Sequence, residues 1–134
     1  MHWHAYLWTG SGAERGNEAE RRPSSPDFPT SALPPMRTGD WLAKPAARSA
    51  ATFEEPEPAT RWMATEYGKT RDQLHPPERI PLEERLTTAL DLLPRGIDVQ
   101  WGEWLQSGRF LTIGVICCPN RHIPHPCPIH RPYG

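Results

Sequence analysis

The sequence predicts a mostly disordered N-terminal arm followed by a small α+β module, one helix plus a β-hairpin in the order α-β-β, with a Pro/Cys/His-rich tail. Three observations predict it. All six isoleucines (80, 97, 113, 116, 123, 129) and both valines (99, 115) lie from Ile80 onward. Proline makes up 17 of 134 residues, against a usual share of roughly 5%. Between Ile80 and Cys117 the apolar residues fall first into a helical period and then into a strand period. The boundaries follow: 1–79 for the arm, 80–118 for the module, 119–134 for the tail.

The first 79 residues hold four leucines, two phenylalanines and four tryptophans among Pro, Ala, Arg, Ser and Glu. That is too little aliphatic area to offset a backbone entropy of ~1–2 kcal/mol per residue. Prolines at 23, 26, 29, 34, 35, 45, 56, 58, 76 and 77 break long helices and favour extended or turn conformations. One short helix is expected inside the arm, over Pro58–Tyr67, offering Trp62 and Met63 as a docking face. The abrupt compositional change also admits a true start at Met63 or Met36, with the earlier residues being upstream sequence read in frame.

From Ile80 the pattern becomes regular. Pro81 suits the start of a helix, and Glu83 and Glu84 favour its positive end. Leu82, Leu86, Ala89, Leu90 and Leu93 then recur at spacings of three and four, predicting a helix over 81–93. Pro94-Arg95-Gly96 stops it, with Gly96 at the left-handed cap position. Two strands follow, 97–105 and 109–117, joined by Gln106-Ser107-Gly108. Pairing Leu105 with Phe110 puts Ile97, Val99, Trp101, Leu105, Phe110 and Ile116 on one face. Trp104, Leu111, Ile113 and Val115 fall on the other. One helix covers one face only, so the second set is expected to form an interface, with a second copy or another protein as partner. A core of about forty residues is near the limit below which disulfides, metals or oligomerisation are usually needed.

The tail from Cys117 to His130 packs three cysteines and three histidines into fourteen residues. Zinc takes four soft or borderline ligands in a tetrahedron, commonly Cys and His at short spacings. Cys118 and His122 form one such pair and Cys127 and His130 a second, with Cys117 and His125 as alternates. Such an ion would tie the tail to the hairpin and add its binding energy to folding. Two other readings stand beside it. The prolines support a strap of reduced thiols crossing the sheet, and an oxidising setting would allow a disulfide from Cys117 or Cys118 to Cys127.

Other features carry less. Gly10-Ser11-Gly12-Ala13-Glu14-Arg15-Gly16 has the look of a dinucleotide loop but lacks its strand-to-helix setting. His2 and His4 could chelate copper or nickel adventitiously, but they read first as part of a disordered terminus. Asp98 and Glu103 fall on opposite sheet faces in the register above, which argues against a shared acid–base site. Trp101 reads as core and Trp104 as an interface anchor. No group orients a Cys–His pair for catalysis, and a hairpin with one helix offers no deep pocket, so no enzyme is expected. A net charge of −1 supplies no field for nucleic acid or an anionic membrane. The segment Met1–Gly10 lacks the marks of a signal peptide, the longest apolar run is too short to span a bilayer, and the cytoplasm is the expected compartment.

The run Leu93-Pro94-Arg95-Gly96-Ile97-Asp98-Val99-Gln100-Trp101, then Gly108-Arg109-Phe110 and Cys118-Pro119-Asn120-Arg121-His122…Pro126-Cys127-Pro128, resembles short proteins of actinobacteria that end in Cys-Pro-Asn-(Arg)-His…Pro-Cys-Pro. The resemblance covers about 82–128. It implies a unit from Ile80 onward and, since that group has no established function, no activity. Two functions are therefore expected. The first is a non-enzymatic protein-interaction or regulatory module, dimeric through Trp104, Leu111, Ile113 and Val115. The alternative is a zinc-stabilised minidomain contacting nucleic acid through its tail.

Overall fold

In the computed structural model, which describes residues 1–129, ordered structure begins at the start of the chain. β1 (His2–Ser11) runs into a single helical turn, α1 (Gly12–Arg15), and then a long irregular segment. There follow β2 (Ala51–Phe53), α2 (Pro56–Gly68), α3 (Leu82–Leu92), β3 (Val99–Trp104) and β4 (Arg109–Cys118). The strands form one antiparallel sheet in the order β2-β1-β4-β3. β1 and β4 are its two central strands, paired from His2↔Cys118 to Ser11↔Arg109.

This corrects the expected architecture: there is no disordered arm, and the module is not a lone helix with a hairpin. The reason is aromatic area. Trp3, Tyr6, Trp8, Phe28, Trp41 and Tyr67, all from the first 79 residues, are buried, and each aromatic ring system removes roughly 150–250 Å² from water. Valine and isoleucine are good markers of a core but not the only material for one. A chain beginning at Met63 would lack β1 and β2 and would start inside α2.

The hairpin of β3 and β4 is also shifted by one residue from the expected register. Trp104, not Leu105, lies opposite Phe110, and Trp101 lies opposite Ile113. The turn explains the shift. The Leu105 amide donates to the Arg109 carbonyl at 2.8 Å, closing a three-residue loop in which Ser107 (φ 64°) and Gly108 (φ 70°) take left-handed conformations. A slip of one residue exchanges the two faces of a strand. Trp101 therefore joins Leu111, Ile113 and Val115 rather than opposing them.

That shared face, extended by Trp3, Ala5 and Cys117 from the central strands, is covered by α2 and α3. α3 contributes Leu82, Leu86 and Ala89, and Leu93 just beyond it is fully buried. Gly96 (φ 78°) ends this segment in the left-handed conformation. α2 adds Ala59, Met63 and Tyr67, whose ring meets Trp101 edge-on at 5.7 Å. The helix N-terminus is set by Pro56 and Pro58, which fit a first turn where amide donors have no intrahelical partner.

The opposite face carries Tyr6, Trp8, Phe110, Ile116 and Cys118, and the irregular segment covers it with Leu33, Trp41 and Leu42. Tyr6 stacks on Trp41 at 4.7 Å, and the Trp41 indole donates to Gln100 Oε1 at 2.8 Å. Little regular structure runs through this cover, so its backbone carbonyls need other partners. Two buried cations supply them. Arg21 donates to the carbonyls of Pro34 (2.7 Å) and Arg15 (2.9 Å). Lys44 donates to those of Phe28 (2.8 Å) and Ser31 (2.9 Å) and sits over the Phe28 ring.

Burial pushes the Lys44 ammonium down from 10.5 to about 8. Between those values the unfolded chain holds a proton that the folded chain has released, so Lys44 makes stability rise with pH across that window. Lys44→Met should cost about 1–3 kcal/mol at pH 7, because two carbonyls lose their donor in the interior. Urea titrations of both proteins at pH 7, 8, 9 and 10 check this: the wild type should gain on the variant above about pH 8.

Candidate metal centre

β-strand geometry sends His2 and His4 to the same face of β1, and the register sets Cys118 directly opposite His2. Three potential ligands are thus placed by the central strand pair alone. The fourth, Cys127, comes from the tail, and the turn that brings it back is well defined. The Asn120 side chain donates through Nδ2 to both carboxylate oxygens of Asp98 at 3.0 and 2.9 Å, while its Oδ1 accepts from the backbone amides of His122 and Ile123 at 3.1 Å each. Asp98 also accepts from the Cys117 amide at 2.8 Å. Farther on, Ile123 packs over Gly39, where even a Cβ would come within 2.9 Å of its side chain. His125 Nε2 lies 2.8 Å from Oδ1 of the buried Asp40. These contacts deliver Cys127 beside the two histidines.

The ligand atoms of His2, His4, Cys118 and Cys127 all lie within 4.8 Å of one another, and the cluster could hold a metal ion. The two Nε2 atoms are 3.1 Å apart, and Cys127 Sγ is 3.4 Å from one and 3.6 Å from the other. A tetrahedral ion with metal–nitrogen bonds of ~2.0–2.1 Å and metal–sulfur bonds of ~2.3 Å requires edges of ~3.3 Å between nitrogens and ~3.6 Å between nitrogen and sulfur. The three spacings among His2, His4 and Cys127 match those edges within a few tenths of an ångström, and Cys118 Sγ lies within 4.8 Å of the other three ligand atoms. His4 and Cys118 are buried, while His2 and Cys127 are partly exposed, so the site has a dry inner side and an open outer one.

Two further features bear on metal chemistry. His4 Nδ1 lies 2.9 Å from Oγ1 of Thr52, its cross-strand neighbour on β2. With Nδ1–H donating to that hydroxyl, the lone pair of Nε2 is turned into the cluster, the arrangement that outer partners of metal-bound histidines impose. Burial, then the hydrogen bond and charge of Cys127, push the Cys118 thiol up to about 12. Cys118 is thus a neutral thiol at physiological pH until a metal displaces its proton.

The other residues singled out in the sequence lie elsewhere. His122 is exposed and outside the cluster, and His130 falls outside the described residues. Cys117 points to the helix-covered face, where burial, then the Asp98 charge, push its thiol up to about 12. His125 is held by Asp40. Leu111, Ile113 and Val115, expected at an interface, are interior, while Trp104 remains nearly half exposed. Asp98 fastens the tail turn, and Glu103 pairs with Arg85. Ser11 and Glu14, in the glycine-rich run, form the capping box of α1. The tail's Arg121 donates to the Arg95 carbonyl at 3.1 Å. The residues missed were His2 and His4. Their signal was the alternation His2-Trp3-His4-Ala5-Tyr6, a strand pattern with two imidazoles on one side.

Thr52→Val keeps the shape of the side chain but removes the acceptor behind His4. It should lower the affinity for a tetrahedral divalent ion by about 10–100-fold, and Thr52→Ser should restore it, both read by competition with a chromogenic chelator.

Searches with the whole chain find no matching family model, no matching curated protein and no matching solved structure.

Proposed function

We propose that this chain is a zinc-binding protein in which a structural centre made by His2, His4, Cys118 and Cys127 fastens the tail to the central strand pair. The observation that carries the reading is the convergence of two imidazole nitrogens and a thiol sulfur at 3.1–3.6 Å around the position a fourth ligand, Cys118, completes. Two sulfurs and two nitrogens without a carboxylate are a donor set suited to zinc rather than to magnesium or calcium. Four protein ligands fill the tetrahedron and leave no position for water or substrate, which is the pattern of a structural site. The role proposed for the ion is therefore structural rather than catalytic.

The ion's contribution is local. A core drawn from the whole chain does not need a metal to compensate for small size, as a forty-residue module would. What the ion adds is a cross-link between the strand that opens the chain and the segment after β4.

Elemental analysis of protein purified under reducing conditions should find one zinc per chain, and its absence would sink the reading. His4→Ala and Cys118→Ser should each abolish stoichiometric binding, whereas His122→Ala should leave it intact. Chelation should lower the melting temperature while a cooperative transition survives. Trypsin should cut after the exposed Arg121 several-fold faster in chelator than in zinc, because the released tail opens more often. Equal cleavage rates would show that the ion does not hold the tail.

A further inference from the structure

Resting on that zinc reading, we infer that Cys118 and Cys127 form a redox switch whose oxidation to a disulfide expels the metal. The sulfurs lie within 4.8 Å of each other, so a bond of ~2.05 Å between them requires a modest shift of one partner. The partner that shifts is Cys127, which lies outside the sheet on irregular backbone. It sits on the tail, which is held beside it by Ile123 on Gly39 and by His125 on Asp40. Cys118 belongs to a central strand and is fixed.

Exposure orders the steps. Cys127 is partly exposed and Cys118 almost fully buried, so a small oxidant such as hydrogen peroxide meets Cys127 first. The Cys127 thiolate attacks one peroxide oxygen, the O–O bond breaks, and hydroxide leaves and takes up a proton, giving a sulfenic acid. The Cys118 thiolate then attacks the Cys127 sulfur, the S–O bond breaks, and a second hydroxide leaves and is protonated. Two thiolates, one peroxide and two protons become one disulfide and two waters, with two electrons passing from sulfur to oxygen. The ion keeps only His2 and His4 and dissociates.

The third thiol does not compete. Cys117 is buried on the opposite face of β4, against the Leu93 carbonyl and the helix-covered core. Oxidation is therefore confined to one pair, and reduction by a dithiol restores the ligands.

The test uses the wild-type chain loaded with zinc and treated with graded hydrogen peroxide. Released zinc is read with a chromogenic indicator, and the cross-link by peptide mass mapping. One zinc should appear per disulfide, the linked peptides should contain Cys118 and Cys127, and dithiothreitol with added zinc should reverse both changes. Cys117→Ala should behave as wild type. A chain that takes up no zinc fails the metal reading and takes this inference with it. A zinc-loaded chain whose sulfurs become sulfinic acid without linking, whose disulfide includes Cys117, or which keeps its ion after linking, overturns the switch while the zinc reading stands.

Discussion

The antiparallel pairing of β1 with β4 is the constraint from which the rest of the molecule follows. It joins residues 2–11 to residues 109–118 and makes both strands central, with β2 and β3 added at the edges. Closing so long a loop costs entropy that grows only slowly with its length, and the return is a sheet with a buried core on each face. One face takes α2 and α3; the other takes the irregular segment. The same pairing sets His2 against Cys118, so three of the four residues of the metal-capable cluster are placed by sheet register and only Cys127 by the tail turn.

The irregular cover shows how a proline-rich, arginine-rich stretch can be ordered with only short 3-10 turns and no α-helix or strand. Proline removes amide donors and fixes φ, which lowers the hydrogen-bonding demand of a buried backbone. The carbonyls that remain are gathered by Arg21 and Lys44. A side chain with several donors can serve carbonyls from distant turns at once, a task a backbone amide cannot perform.

What could be read from the sequence was what rests on local periodicity. The three-and-four spacing from Leu82 to Leu93 and the left-handed Gly96 fall where α3 and its stop are found, because neighbours along the chain decide them. The two strands of the hairpin were legible for the same reason. Their register was not, because it depends on whether Ser107 adopts a left-handed conformation, a choice made by the closed turn and not by residue type alone. The earlier part of the chain was misread because aliphatic content stood in for core-forming capacity, while Trp3, Tyr6, Trp8 and Trp41 carried the burial. The site was half legible. Cys118 and Cys127 announce themselves by their clustering in the tail, but His2 and His4 are more than a hundred residues away along the chain, and only the strand pairing reveals them.

The central pairing also has a consequence for biosynthesis. β1 is made well before its main partner, which emerges only after roughly a hundred further residues, ~5–20 s of synthesis at ordinary elongation rates. Throughout that interval the central strand pair that Trp3, Tyr6 and Trp8 belong to is missing, and the edge of β1 that β4 will occupy is open to pairing with other chains. The nascent protein thus carries an aromatic strand without its main partner until β4 arrives. Its yield in a cell should depend on what shields that strand before β4 arrives.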